Sequence, residues 1–284
     1  MADTRYAVVG QLRDRITKSQ ARAIKQLYRG VLSSLYKEEQ RLKKLGVTDS
    51  ARVTQIRELR STTIKLLRQV TDKLTSHAEA GMLEVIDATL ELYGATTASA
   101  QAMVMSFVTG NVYGGSWSLS SSIWGNNSKQ VRDVYNIVAR GQLLGYSFEQ
   151  IADQLKKYVN PDKLYDWDGP GSLHIYSHSI DYNAQRLIRT LVTHAYQYAQ
   201  WAMTHDDPTL LGYRWHAQGP RACPICKERN GVIFPVNSVP WDHPNGACYI
   251  EPVYSSRHDM DAFRDFAVES FLTRHTNHFD KLIN

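Results

Sequence analysis

Residues 221–248, RACPICKERNGVIFPVNSVPWDHPNGAC, hold all three cysteines of the chain. Cys223-Pro224-Ile225-Cys226 sets two thiols in a tight turn, and His243 with Cys248 supplies a second pair sixteen residues on. The pattern C-x2-C-x16-H-x4-C has the ligand count and pairwise spacing of a tetrahedral structural zinc site, in which soft thiolates and one imidazole leave no open position. Between the pairs, Asn230-Gly231 is a two-residue turn signal, so residues 232–234 are expected to pair as a hairpin strand, as in a zinc knuckle or ribbon. His216 is an alternative fourth ligand in place of His243, and Asp242 is a further one. Two rival readings stay open. A redox C-x-x-C belongs at a strand-to-helix junction of a thioredoxin-like pattern, which this loop-rich stretch lacks, and three unlinked buried thiols are ordinary core residues.

Working outward, short β-like runs at 211–215, 231–235 and 249–254 surround the cysteines. Upstream, residues 183–203 read as an amphipathic helix with Ala184, Leu187, Leu191, Ala195, Tyr198 and Ala202 on one side. In GYSFEQIADQLKKYV, Ser147 stands three residues before Gln150, a capping box that opens another helix. Residues 129–140 form a helix, 160–173 a loop, and 110–128, GNVYGGSWSLSSSIWGNNS, carry loop chemistry that marks a boundary.

At the N-terminal end, Ile16, Ile24, Leu27, Val31 and Leu35 recur at helical intervals through 11–45, with Gly46 as the stop signal. A second helix follows Thr48-Asp49-Ser50, with Val53, Ile56, Leu59, Leu67, Val70 and Leu74 at a spacing suited to a helical hairpin. Residues 79–93 and 97–108 continue the helical pattern, and 259–272 are expected to close the chain with one more helix. The fold class is therefore mainly α (α+β): a basic helical N-terminal region (1–110), a helical part (111–208), a cysteine-containing, β-rich, zinc-ribbon-like module (209–257) and a helical tail (258–284).

With 284 residues, 43% of them hydrophobic, the chain is long enough to bury a core. No stretch approaches the roughly 18 apolar residues of a membrane span, and the first residues lack the apolar segment of a secretory signal. Both point to synthesis and retention in a cytosol, and an odd cysteine count makes no disulfide framework. Charge is uneven: residues 1–75 carry 17 Lys and Arg against 7 Asp and Glu, whereas 76–284 carry 16 against 21. The basic block points to a polyanion or an acidic partner surface, and its bland counterpart is a solvated helix face. There is no catalytic constellation: His174 and His178 lack an H-E-x-x-H context, His194 lies in a helix without a nucleophile motif, and Gly114-Gly115 and Gly169-Pro170-Gly171 lack the form that cradles phosphates.

From Ser122 to Tyr254 the chain resembles the minor head proteins of tailed bacteriophages typified by the phage Mu F protein, also called head morphogenesis proteins. Five blocks keep their order: SIW, GYSFEQIADQL, NAQRLIRTLVTHAYQYAQ, GYRWHAQGPRACPICKERNGVIFP and HPNGACYIEP. Trp215 matches the aromatic before the cysteine segment, Cys223 and Cys226 the C-x-x-C, Asn230-Gly231 the turn, and His243-Pro244 with Cys248 the closing motif. The chain departs where Gly246 replaces a cysteine and where Leu191 replaces an acid after Arg189-Thr190. The resemblance implies a virion minor capsid protein without enzymatic activity, made in the host bacterial cytoplasm and packed in few copies inside the capsid near the portal. Its partners would be portal or major capsid protein, with no membrane, and it would act in head assembly, genome packaging or delivery. The basic helices lie outside the resemblance; they are expected to contact packaged DNA, and a homo-oligomer following portal symmetry is expected. Competing readings are a prophage-associated toxin carrying such a module and a cellular zinc-ribbon nucleic-acid binder.

Overall fold

A computed structural model describes residues 4–92, 119–163, 179–218 and 222–255. It is mainly helical, with one small antiparallel sheet. The long helices are α1 (Thr4–Lys43) and α2 (Asp49–Leu92), followed by α3 (Leu119–Leu143), α4 (Phe148–Val159) and α5 (Tyr182–Thr204). Strand β1 (Leu210–His216), a short helix α6 (Pro224–Arg229), β2 (Ile233–Phe234), a 3-10 turn (Val236–Ser238) and β3 (Tyr249–Tyr254) complete the described chain. None of the described helices is long and apolar enough to cross a membrane. The helices expected at 97–108 and 259–272, and most of the loop at 160–173, lie outside the described residues.

Contacts divide the chain into two compact units, and α1, α2 and α5 each contribute to both. The second unit, Ala21–Ser76 with Ser120–Gln185, holds helices and no strand among the described residues. Ile24, Tyr28, Val31 and Leu35 of α1, and Ile56, Leu59, Leu67 and Val70 of α2, are buried at the helical spacing that the sequence carries. Gly46, with φ 96°, takes the left-handed turn after α1, and Gln55 Nε2 donates to the carbonyls of Leu42 (2.9 Å) and Gly46 (3.0 Å), closing the hairpin. The Ser147 capping box forms: its hydroxyl accepts from Gln150 N and Gln150 Oε1 accepts from Ser147 N.

One expectation is corrected: α3 begins ten residues before Lys129, inside the Ser/Asn/Gly run read as loop. Propensity is overridden by tertiary contact: Asn127 is buried, and its amide donates to the Leu67 carbonyl and to Thr71 Oγ1. The second helix and its continuation from residue 79 form one helix, α2, through Thr75-Ser76-His77. The hydroxyls of Thr71, Thr75 and Ser76 donate to carbonyls one turn back and satisfy themselves within the helix.

The first unit, Met1–Gln20, His77–Leu119 and Arg186–Asn284, contains the sheet. Its order is β2-β1-β3, with Tyr213 opposite Phe234 on one side and Pro252 on the other. The central strand is the natural home of the buried pair Tyr213 and Trp215, and with Ile250 they form a cluster that includes the sulfur-bearing side chains of Cys226 and Cys248. Gly212 permits the β1–β2 approach, because a Cβ there would lie 2.3 Å from the Phe234 carbonyl oxygen.

Two outcomes are expected. Gly212→Ala forces β1 and β2 apart and lowers stability by about 1–3 kcal/mol in denaturant unfolding. Glu84 in α2 is buried with no hydrogen-bond partner for either oxygen among the described residues, and burial, helped by Asp87, raises its pKa to about 8. Because the folded value lies above the unfolded 4.5, stability is full below pH 4.5 and falls as pH rises toward 8, where the unfolded chain has released a proton that the folded chain still holds. Glu84→Gln should therefore unfold later than the parent at pH 8, with the advantage vanishing below pH 4.5.

Candidate metal centre

The cysteine cluster is assembled by three local structures. Cys223 caps α6 with φ −66° and ψ 164°, and its Sγ accepts the Cys226 N–H at 3.4 Å. Pro224 at the start of α6 suits a position with no helical donor duty, so the C-x-x-C stretch is a capped helical turn. Gly231 N donates to the Trp215 carbonyl (2.8 Å) and Trp215 N to the Val232 carbonyl (2.9 Å), tying that turn to β1. The last part is the loop 242–248, which Asn245, with φ 67°, bends back on itself.

Together these bring five donors into two overlapping triads: Cys223, Cys226 and His243, and Cys226, Asp242 and Cys248, each with ligand atoms within 4.8 Å of one another. A tetrahedral zinc with sulfur at about 2.3 Å needs sulfurs roughly 3.8 Å apart; Cys226 belongs to both triads, whereas Cys223 and His243 fall in one and Cys248 in the other. The group can hold a metal ion. The Nδ1–H of His243 donates to the Pro244 carbonyl at 3.1 Å, which leaves Nε2 with the lone pair a metal would take. His216 lies elsewhere: its Nε2 is 2.6 Å from Glu251 Oε2 and its ring stacks on Tyr249.

Asp242 is the organiser of the loop. Its Oδ1 accepts the His243 N–H (2.8 Å) and its Oδ2 the Cys248 N–H (2.9 Å), while Cys226 Sγ lies 3.7 Å from Oδ1. A Cβ on Gly246 would sit 2.0 Å from Asp242 Oδ2. The volume that any side chain at 246 would need is thus filled by this carboxylate, a physical reason for glycine at this position.

Burial and mutual proximity set the titration of these groups. Burial pushes the Cys226 thiol well up, reinforced by the neighbouring Cys248 and Cys223, and burial also raises Cys248. Cys223 is lowered, chiefly by the Cys226 N–H at its sulfur. For His243 burial works downward, but the Pro244 carbonyl and the negative charges of Asp242 and Cys223 prevail and raise it. A dication turns the thiols into thiolates and releases their protons, so loading is linked to pH.

Sequence reasoning missed the support behind this loop. One face of α5 holds it: Arg189 Nη1 donates to Asn245 Oδ1 (3.1 Å), Asn245 N to Thr190 Oγ1 (2.9 Å), Thr193 Oγ1 to the Gly246 carbonyl (3.3 Å), His194 Nε2 to the Asp242 carbonyl (2.8 Å) and Asp242 N to Gln197 Oε1 (3.2 Å). The signal was present as polar residues at one-turn spacing in an otherwise apolar helix. Burial lowers the His194 pKa, so its neutral ring acts as a structural donor. His174, His178 and both glycine pairs lie outside the described residues. Comparison with protein families, with characterised proteins and with solved structures finds no match to this chain.

Substitution should sort the donors. Cys226→Ser or Cys248→Ser lowers retained metal about tenfold or more, measured by elemental analysis after dialysis, while His216→Gln leaves it unchanged. Gly246→Ala displaces the Asp242 carboxylate and destabilises the unit by about 1–3 kcal/mol, read by thermal unfolding.

Proposed function

We propose that this chain is a bacteriophage minor capsid protein of the Mu F-like, head morphogenesis type, held inside the virion near the portal and acting in head assembly and genome packaging or delivery. The observation that carries the reading is the ordered set of resembling blocks together with where three of them fall. The helix carrying Arg189 and Thr190 meets the His-Pro-Asn-Gly segment through Asn245, and that segment and the C-x-x-C turn share one donor cluster. Blocks separated in sequence thus form one construction, in which a structural zinc at Cys223, Cys226, His243 and Cys248 would replace part of a small core as a zinc-ribbon-like staple. The site is closed by these four ligands, and its role in this reading is architectural.

Portal or major capsid protein is the partner proposed for the C-terminal unit, with self-association following the portal's symmetry. For the basic helices the proposed partner is packaged DNA. Some of their charge is spent internally: Lys25 and Arg29 pair with Asp162, Arg41 with Glu38 and Glu58, and Lys43 with Glu39. What remains includes a stripe on α2, where Arg57, Arg60, Lys65 and Arg68 line a groove beside Tyr135, with Asp72 at its end. Arg60 lies over the Tyr135 ring at 5.0 Å. A cationic groove with an aromatic wall suits a phosphate backbone.

Quantitative mass spectrometry of purified particles should find the protein at low copy relative to major capsid protein; its absence from mature particles would remove the capsid reading. Duplex DNA should bind the full chain with strong salt dependence, and replacing Arg57, Lys65 and Arg68 with Gln should reduce the log–log salt slope by roughly one for each phosphate that is no longer neutralised. Binding that ignores salt, or that the triple variant keeps, would overturn the DNA assignment.

A further inference from the structure

One buried cation in the first unit has no part in the reading so far. Arg13 lies in α1, 235 positions from Cys248 in sequence, yet its side chain is only 1% exposed. Nη1 donates to the Cys248 carbonyl at 3.0 Å, and Nη2 to the Ala247 carbonyl at 2.6 Å and Gln218 Oε1 at 2.5 Å. Asp14 Oδ1 accepts from Nε at 3.3 Å and Nη2 at 3.0 Å, and the Tyr196 ring lies 5.7 Å from the guanidinium carbon. A guanidinium taken out of water costs several kcal/mol unless its donors are met. Here Asp14 supplies the counter-charge, Gln218 one acceptor, and the carbonyls of Ala247 and Cys248 the other two.

We propose that Arg13 is a positioning residue of the metal centre, so that loading of the cluster and docking of the first turns of α1 form one coupled equilibrium. The inference rests on the metal reading of the cluster. Cys248 can present its sulfur only when the backbone around it is held, and that backbone is fixed on both sides: its N–H is bound by Asp242 and its carbonyl by Arg13. Two consecutive carbonyls require a donor with two diverging N–H groups. Arg supplies that fork, whereas the compact ammonium of Lys does not. Val9, Leu12 and Ile16, on the same stretch of α1, are buried with it, so the helix cannot leave without releasing the Cys248 turn. Coupling of this kind is reciprocal: whatever α1 adds to metal retention, the metal adds to α1 docking. The N-terminal helix, which lies outside the resembling region, thereby becomes part of the construction of the site.

The test uses the full chain loaded with zinc, compared with Arg13→Met, Arg13→Lys and the exposed control Arg15→Met. Zinc transfer to a chromogenic chelator should be about tenfold faster or more in Arg13→Met, the size expected for the loss of a charge-assisted hydrogen bond. Arg13→Lys should fall between and Arg15→Met should match the parent. Cobalt-substituted Arg13→Met should keep the thiolate charge-transfer bands of the parent, because the ligands themselves are unchanged. In the parent, stripping the metal should speed amide hydrogen exchange over residues 8–20, a response that needs no variant to fold. Parent-like zinc transfer from Arg13→Met, or exchange over 8–20 that ignores the metal, would overturn the coupling. A parent chain that takes up neither zinc nor cobalt would instead remove the metal reading, and the coupling with it.

Discussion

The C-terminal unit depends on how one buried carboxylate is satisfied. Asp242 is 3% exposed, and a carboxylate at that depth must find hydrogen-bond donors for its oxygens. Its two oxygens take the N–H groups of His243 and Cys248, the residues that would complete the metal set. Satisfying these oxygens and placing the two residues are therefore one event. Gly246 is required by the same contact, and the backbone of Asp242 is held in turn by His194 and Gln197.

Around that carboxylate the unit is organised from two directions. The polar face of α5 holds the loop from one side, and the guanidinium of Arg13 holds the carbonyls of Ala247 and Cys248 from another. The sheet supplies the remaining wall: Trp215 and Tyr213 on the central strand form, with Ile250, the apolar cluster that encloses Cys226 and Cys248. Such a small sheet buries little by itself. A metal drawing three thiolates and an imidazole together would supply the cohesion that a larger core gives elsewhere.

Much of this was legible in the residues themselves. Strand β3 spans the β-like run at 249–254, the Ser147 capping box forms, and the C-x-x-C pair shares one triad with His243, while Cys226 shares a second with Asp242 and Cys248. What escaped is of two kinds. Local propensity was overruled where a partner made a polar residue welcome inside, as with Asn127 in α3. The long-range contacts of Arg13 left no periodic trace: it reads as one more cation in a basic helix, and its burial depends on carbonyls more than two hundred residues away. Asp242 had the right chemistry in sequence, but its role as hydrogen-bond acceptor for two ligand residues follows from the loop geometry alone.

X-ray absorption at the zinc edge of the purified full-length chain tests the metal centre most directly. Bound zinc with three sulfur neighbours at about 2.3 Å and one nitrogen at about 2.0 Å is the predicted result. A shell of oxygen and nitrogen alone, or a protein that folds fully without any metal and takes none up, would contradict it.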